Sequence, residues 1–114
     1  MPRGDAFATK LLFICSRNRM RSLTAEKIFS GIPGYDVRSA GTQPQARIVV
    51  NEGHLRWADI IFVMEKAQRT KLRRRFGRQL KSARVNCLDI PDNYGFMDAE
   101  LVRLLEQRVS RYLP

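Results

Sequence analysis

Apolar positions along the chain fall into two kinds of grouping. Leu11-Leu12-Phe13-Ile14-Cys15 and Ile60-Ile61-Phe62-Val63-Met64 are short unbroken runs, as expected of strands buried on both faces. Val85 to Ile90 reads as a further strand, and Tyr35–Ser39 as a more exposed one. Between them the spacing turns helical. Ser22 to Phe29 places Leu23, Ala25, Ile28 and Phe29 toward a core, and Gly31, Pro33 and Gly34 end it. Lys66 to Phe76 sets Leu72, Phe76 and Leu80 at i, i+4 and i+8. Asp98 is placed to cap a helix carrying Leu101, Leu104, Leu105 and Val109. Ala46 to Trp57 has the weakest pattern and is read as a short helix. The order β-α-β-α-β-α-β-α predicts an α/β fold: three layers, α/β/α, around a four-stranded parallel sheet. One domain spans residues 1–114, with residues 1–9 as a loose N-terminal extension.

In such sheets ligands bind beyond the C-terminal ends of the strands, where strand order reverses. That directs attention to the segment after Ile14: Cys15-Ser16-Arg17-Asn18-Arg19-Met20-Arg21-Ser22. A cysteine closes a buried strand, and an arginine six residues further on opens a helix. The loop between them can curl so that its N–H groups converge on an anion, and the helix N-terminus adds partial positive charge. Both favour a thiolate, the nucleophilic form of cysteine. Arg21 can grip two phosphate oxygens with its planar fork. Ser22 can donate a hydrogen bond to the sulfur as it leaves. The spacing alone is weak in a chain with 16 arginines. Cys15 can equally be a packing residue at a strand end, and Arg21 a solvated helix residue.

Composition narrows the chemistry. Two cysteines, Cys15 and Cys87, and one histidine, His54, leave no disulfide framework and no metal site, and no cofactor is expected. Cys87 reads as core and His54 as a lone surface or packing histidine. No apolar run is long enough to span a membrane, and a cytoplasmic location is expected. The net charge is +10. Lys66 to Arg84 holds nine basic residues and no acid, a candidate surface for a polyanion such as nucleic acid. In the predicted architecture its most basic end lies on the side of the sheet away from Cys15.

The segment Leu11–Phe29 resembles the opening of the low-molecular-weight protein tyrosine phosphatases: a hydrophobic strand, C-x-G-N-x-C-R-S, then a helix beginning P-x-A-E. Cys15, Asn18, Arg21, Ser22, Ala25 and Glu26 fall on matching positions. Ser39-Ala40-Gly41-Thr42 matches the family's SAGT segment. Trp57 to Met64, followed by the acid Glu65, is similar to its third strand, and Ile90-Pro91-Asp92 to the stretch before its catalytic acid. The likeness is nearest to a short branch described as predicted tyrosine phosphatases. It implies a flavodoxin-like fold and a phosphorylated substrate. It also implies a phosphocysteine mechanism with Cys15 as nucleophile, Arg21 as phosphate anchor and Asp92 as acid. Asp92 also suits a loop at the end of another strand; Asp89, at the strand's edge, is its competitor. Ser16, Arg17, Asn18, Arg19, Met20 and Ser22 would form the binding loop, with Ser39 supporting it. Tyr94 either lines the pocket or packs on the core.

Four departures from that pattern stand out. Arg17 replaces a glycine that relieves backbone strain. Met20 replaces the second loop cysteine. Asn93 replaces a proline after the acid. The stretch between Thr42 and Ala58 is short, and a histidine that supports the loop asparagine is lost near Pro44. Arg17 and Arg19 would favour a polyanionic phosphoester over simple phosphotyrosine. The rival function is a basic phosphate- or nucleic-acid-binding module with a degenerate loop.

Overall fold

Strand β1 (Thr9–Cys15) runs through the interior of a parallel sheet, and its alternating side chains feed two separate cores. Leu11, Phe13 and Cys15 face one side; Leu12 and Ile14 face the other. The computed structural model describes residues 8–78, 80 and 84–113. Among these, β1 is followed by α1 (Arg21–Phe29), β2 (Tyr35–Gly41), α2 (Glu52–Trp57), β3 (Ile60–Val63), α3 (Lys66–Phe76), β4 (Arg84–Cys87) and α4 (Ala99–Val109). The sheet order is β2-β1-β3-β4, with every neighbouring pair parallel. This is the three-layer α/β architecture that the alternation of patterns predicts.

Helices α1 and α4 cover one face. There Phe13 stacks between Phe29 and Phe62, with ring centroids 5.5 and 5.1 Å away. Helices α2 and α3 cover the other with Leu55, Leu72 and Phe76. The chain steps outward from β1 to β2, then back past β1 to β3. Because parallel crossovers are right-handed, this reversal moves the connecting helices to the opposite face. It also opens a crevice at the C-terminal ends of β1 and β3.

Several boundaries differ from the sequence expectation, each for a local reason. Strand β1 starts at Thr9, which pairs with Tyr35 and donates its N–H to Gly34 O at 2.9 Å. The expected N-terminal extension therefore stops short of Thr9, and its residues 1–7 lie outside the described residues. Helix α2 is shorter than Ala46–Trp57, because Asn51 caps it and residues 48–50 bond along β2 instead. Strand β4 ends at Cys87, because Asp89 adopts φ 55° and breaks the extended ladder. Leu88 N and Ile90 N still donate to Val63 O and Met64 O, which carries the chain along β3 to Pro91. Cys87 is only half-buried on this edge strand rather than core. In α1, Arg21, Ser22 and Thr24 join Ala25 and Phe29 on the buried face, while Leu23 is half-buried.

Helix α3 begins immediately after β3, at the C-terminal edge of the sheet, and runs back toward the other edge. Its last turn carries Arg73, Arg74 and Arg75, all exposed. Of the wider basic stretch, Lys81 lies outside the described residues. Among the described residues no helix is long and apolar enough to cross a membrane.

Candidate active site

Where β1 ends, Cys15 is 3% exposed, and the chain curls through residues 16–20 before entering α1 at Arg21. Met20 occupies the N-cap position and makes no side-chain capping bond. The first N–H groups of α1 therefore have no partner within the helix and are donors suited to an anion.

The Cys15 sulfur has two polar neighbours. Asn18 N lies 3.3 Å from its Sγ, and Ser22 Oγ lies 3.0 Å away. Asn18 Nδ2 donates to Ser22 Oγ and to Ser39 Oγ, each at 2.8 Å. Ser22 thus accepts from Asn18, and its own proton can go to the sulfur or to the more distant Ala40 O at 3.5 Å. The side chains of Asn18 and Ser22 are fully buried behind the loop. Ser39, expected as loop support, accepts from Asn18 and donates to Glu26 Oε1. Asn18 holds φ 58°, a left-handed conformation that asparagine tolerates better than most residues.

Arg21 is 2% exposed, and its guanidinium is oriented from behind. Nη1 donates to Glu65 Oε1 at 2.7 Å and to Ile90 O at 2.8 Å. The fork formed by Nε and Nη2 remains for an anion. Nε lies 3.8 Å from Asp92 Oδ1. Asp92 is therefore brought to the first loop by the continuation of β4 past Ile90.

A cavity of about 360 Å³ opens here. Cys15, Ser16, Arg17, Arg19, Met20 and Arg21 line one side, and Asp92, Asn93 and Tyr94 line the other. Tyr94 also packs against the core beneath, so the two readings of it are compatible. Arg17, Arg19 and Asp92 are exposed at the rim.

The other candidates lie elsewhere. Asp89 faces a separate cavity with Cys87 and Arg108, whose Nη1 donates to Leu88 O and Asp89 O. Burial pushes the Cys87 thiol up from its ordinary pKa. Asp98 caps α4 by accepting from Glu100 N and Leu101 N. His54 Nδ1 accepts from Asn51 N at 3.0 Å, in a capping box on α2. Burial, with Arg38 nearby, lowers its pKa.

Sequence reasoning missed four supporting residues. Glu65 holds Arg21, Gln68 Nε2 donates to Ser16 Oγ at 3.2 Å, and Glu26 and Arg47 lie behind the loop. Glu65 and Glu26 had a signal, since both lie in segments that carry the resemblance. Arg47 and Gln68 had none, because their contacts bridge 29 and 52 positions of sequence.

No protein-family model matches the sequence, and no curated protein does. Solved structures do. The YwlE arginine phosphatase from Geobacillus stearothermophilus superposes with a TM-score of 0.73 at 19% identity, covering 91% of this chain and 92% of its own. SP-PTP, a low-molecular-weight protein tyrosine phosphatase from Streptococcus pyogenes, gives 0.74 at 15% identity over 93% and 94%. The tyrosine phosphatase Wzb from Escherichia coli K30, in complex with phosphate, gives 0.71 at 19% identity over 92% and 96%. Across nearly its whole length, the chain has the fold of these small phosphatases.

Proposed function

We propose that this protein is a phosphomonoester hydrolase acting through a phosphocysteine intermediate. The Cys15 thiolate attacks phosphorus and the ester P–O bond breaks. Asp92, as the carboxylic acid, gives its proton to the departing oxygen. The Asp92 carboxylate then takes a proton from water as that water attacks phosphorus. The S–P bond breaks, and inorganic phosphate and the thiolate are released. Arg21 grips two non-bridging oxygens throughout, and the Ser22 hydroxyl steadies the departing sulfur. The observation that carries this reading is that Cys15, Arg21 and Asp92 border one cavity, with Arg21 locked by Glu65 and Ile90 O.

The lining supports a phosphotyrosine-type substrate. Tyr94 offers a wall for an aromatic leaving group, in keeping with the tyrosine phosphatases among the structural neighbours. Arg17 and Arg19 add positive charge at the rim, favouring phosphotyrosine set among further negative groups. Met20 leaves the loop with no second cysteine to shield Cys15, and a reducing cytoplasm suits such a nucleophile.

The rival reading is a basic module that binds phosphate without turning it over. The exposed arginines of α3 favour a polyanion partner, but one bound at the far edge of the sheet and independent of the loop. Hydrolysis of p-nitrophenyl phosphate by wild type, Cys15→Ser and Asp92→Asn separates the two. The phosphatase reading expects Cys15→Ser to be inactive and Asp92→Asn to be slowed roughly a hundredfold, the usual scale for a lost general acid. A wild type no faster than Cys15→Ser favours the binding module.

A further inference from the structure

Four consecutive carbonyls of the phosphate loop are held from outside by one short segment. Thr42 N donates to Cys15 O, Gln43 N to Ser16 O and Arg47 N to Arg17 O, each at 3.0 Å. Arg47 Nε donates to Asn18 O at 3.3 Å. A trans peptide is planar, so its C=O and the following N–H point in opposite directions. A strap that draws the carbonyls of residues 15–18 outward therefore turns the amides of residues 16–19 inward. One of these is directly visible: Asn18 N points at Cys15 Sγ.

Gly41 lets the strap come this close. A Cβ there would meet Ser16 O and Ala46 Cβ, both at 2.6 Å. The Arg47 side chain then closes a ring. Asn18 Nδ2 donates to Ser39 Oγ, and Ser39 donates to Glu26 Oε1. Glu26 Oε1 lies 4.0 Å from Arg47 Nη2, and Arg47 Nε returns to Asn18 O. Asn18, at φ 58°, is gripped by both its side chain and its carbonyl.

We infer that Arg47 is a positioning residue for the phosphate loop and that residues 42–47 are the strap that aims its amides. The inference rests on the phosphate-binding reading given above. It accounts for two departures at once. The loop has Arg17 where small phosphatases resembling it have glycine, and it lacks their supporting histidine. Arg47 holds the Arg17 carbonyl through its own N–H and the Asn18 carbonyl through its side chain. It does so from outside the cavity, without touching substrate.

The test compares wild type, Arg47→Ala, Arg47→Lys, Glu26→Gln and the Arg47→Ala/Glu26→Gln pair. Each is measured for inorganic phosphate affinity by calorimetry, kcat and KM on p-nitrophenyl phosphate, and Tm. Arg47→Ala is expected to weaken phosphate binding and lower kcat together, each about tenfold, with Tm nearly unchanged because Arg47 is 38% exposed. Lysine should restore only part, since an ammonium cannot serve the carbonyl and the carboxylate through two separate nitrogens. The double variant should be no worse than Arg47→Ala. Values for Arg47→Ala within twofold of wild type, or losses that add in the double variant, overturn the inference. If Arg47→Ala does not fold, Arg47→Met keeps the apolar stem and is judged by the same thresholds. A wild type that binds phosphate but does not hydrolyse the ester sinks the phosphatase reading alone, and the strap is then judged on phosphate affinity.

Discussion

Ser22 Oγ lies 3.0 Å from Cys15 Sγ while it accepts a hydrogen bond from Asn18 Nδ2. When Cys15 is a thiolate it can only accept, so the serine's one proton is available to the sulfur, which in the proposed mechanism carries negative charge before attack and again after the phosphoenzyme breaks down. A hydrogen bond to a charged group is worth about 1.5–3 kcal/mol. Ser22→Ala should therefore lower kcat roughly tenfold to a hundredfold. Burst kinetics with p-nitrophenyl phosphate should show the intermediate forming and then decaying slowly. An unchanged steady-state rate would remove Ser22 from the mechanism.

Gly41→Ala tests the close approach of the strap. The new methyl would press on the backbone oxygen of Ser16, which cannot swing aside as a flexible side chain could. A lower Tm and weaker phosphate binding are expected together. Full phosphate affinity would mean that the loop holds its shape without tight contact from the strap.

Arg17 and Arg19 are exposed at the cavity rim and enter no ion pair among the described residues. Wild type should prefer a phosphotyrosine peptide with acidic neighbours to one with neutral neighbours, by about fivefold or more in kcat/KM. The preference should shrink as salt screens it. Arg17→Ala/Arg19→Ala should bring the ratio close to one. Equal rates for the two peptides in wild type would rule out charge selection.

His54 links stability to pH. Its Nδ1 accepts from Asn51 N, which requires the neutral ring, and burial lowers its pKa below the ordinary value of about 6.5. Above about pH 6.5 the ring is neutral in both folded and unfolded chains, and the full contribution is present. As pH falls below that value the unfolded chain takes up the proton first, so stability declines until the folded pKa is passed. His54→Gln keeps a capping side chain at the same helix position without a titrating ring. Thermal unfolding between pH 7.5 and 5 should show a shallower fall for this variant. Identical slopes would assign the decline to other groups.

Much of the fold was legible because burial leaves a periodic trace. Runs such as Leu11–Ile14 and Ile60–Met64 have no polar face and suit only strands covered on both sides. Helical spacing around Leu72 and Leu101 placed the layers. Errors fell where one residue's conformation decided an element's end, at Asp89 with its positive φ and at Asn51 with its cap. Cys87 read as core from its apolar neighbours. Its strand lies at the sheet edge, where one side has no neighbour to bury it.

The cysteine-to-arginine loop was present in the sequence as seven adjacent residues, since strand end, turn and helix start are all local. Asp92 could be nominated from its place after the last strand, with Asp89 as rival. Tertiary structure decided how the loop is held and what faces it. Glu65 behind Arg21, Ser39 under Asn18 and the strap ending in Arg47 act across 44, 21 and 29 positions of sequence. Such contacts depend on sheet order and on which face each crossover helix takes. A linear pattern of polar and apolar residues specifies which positions are buried, but not which buried polar groups meet.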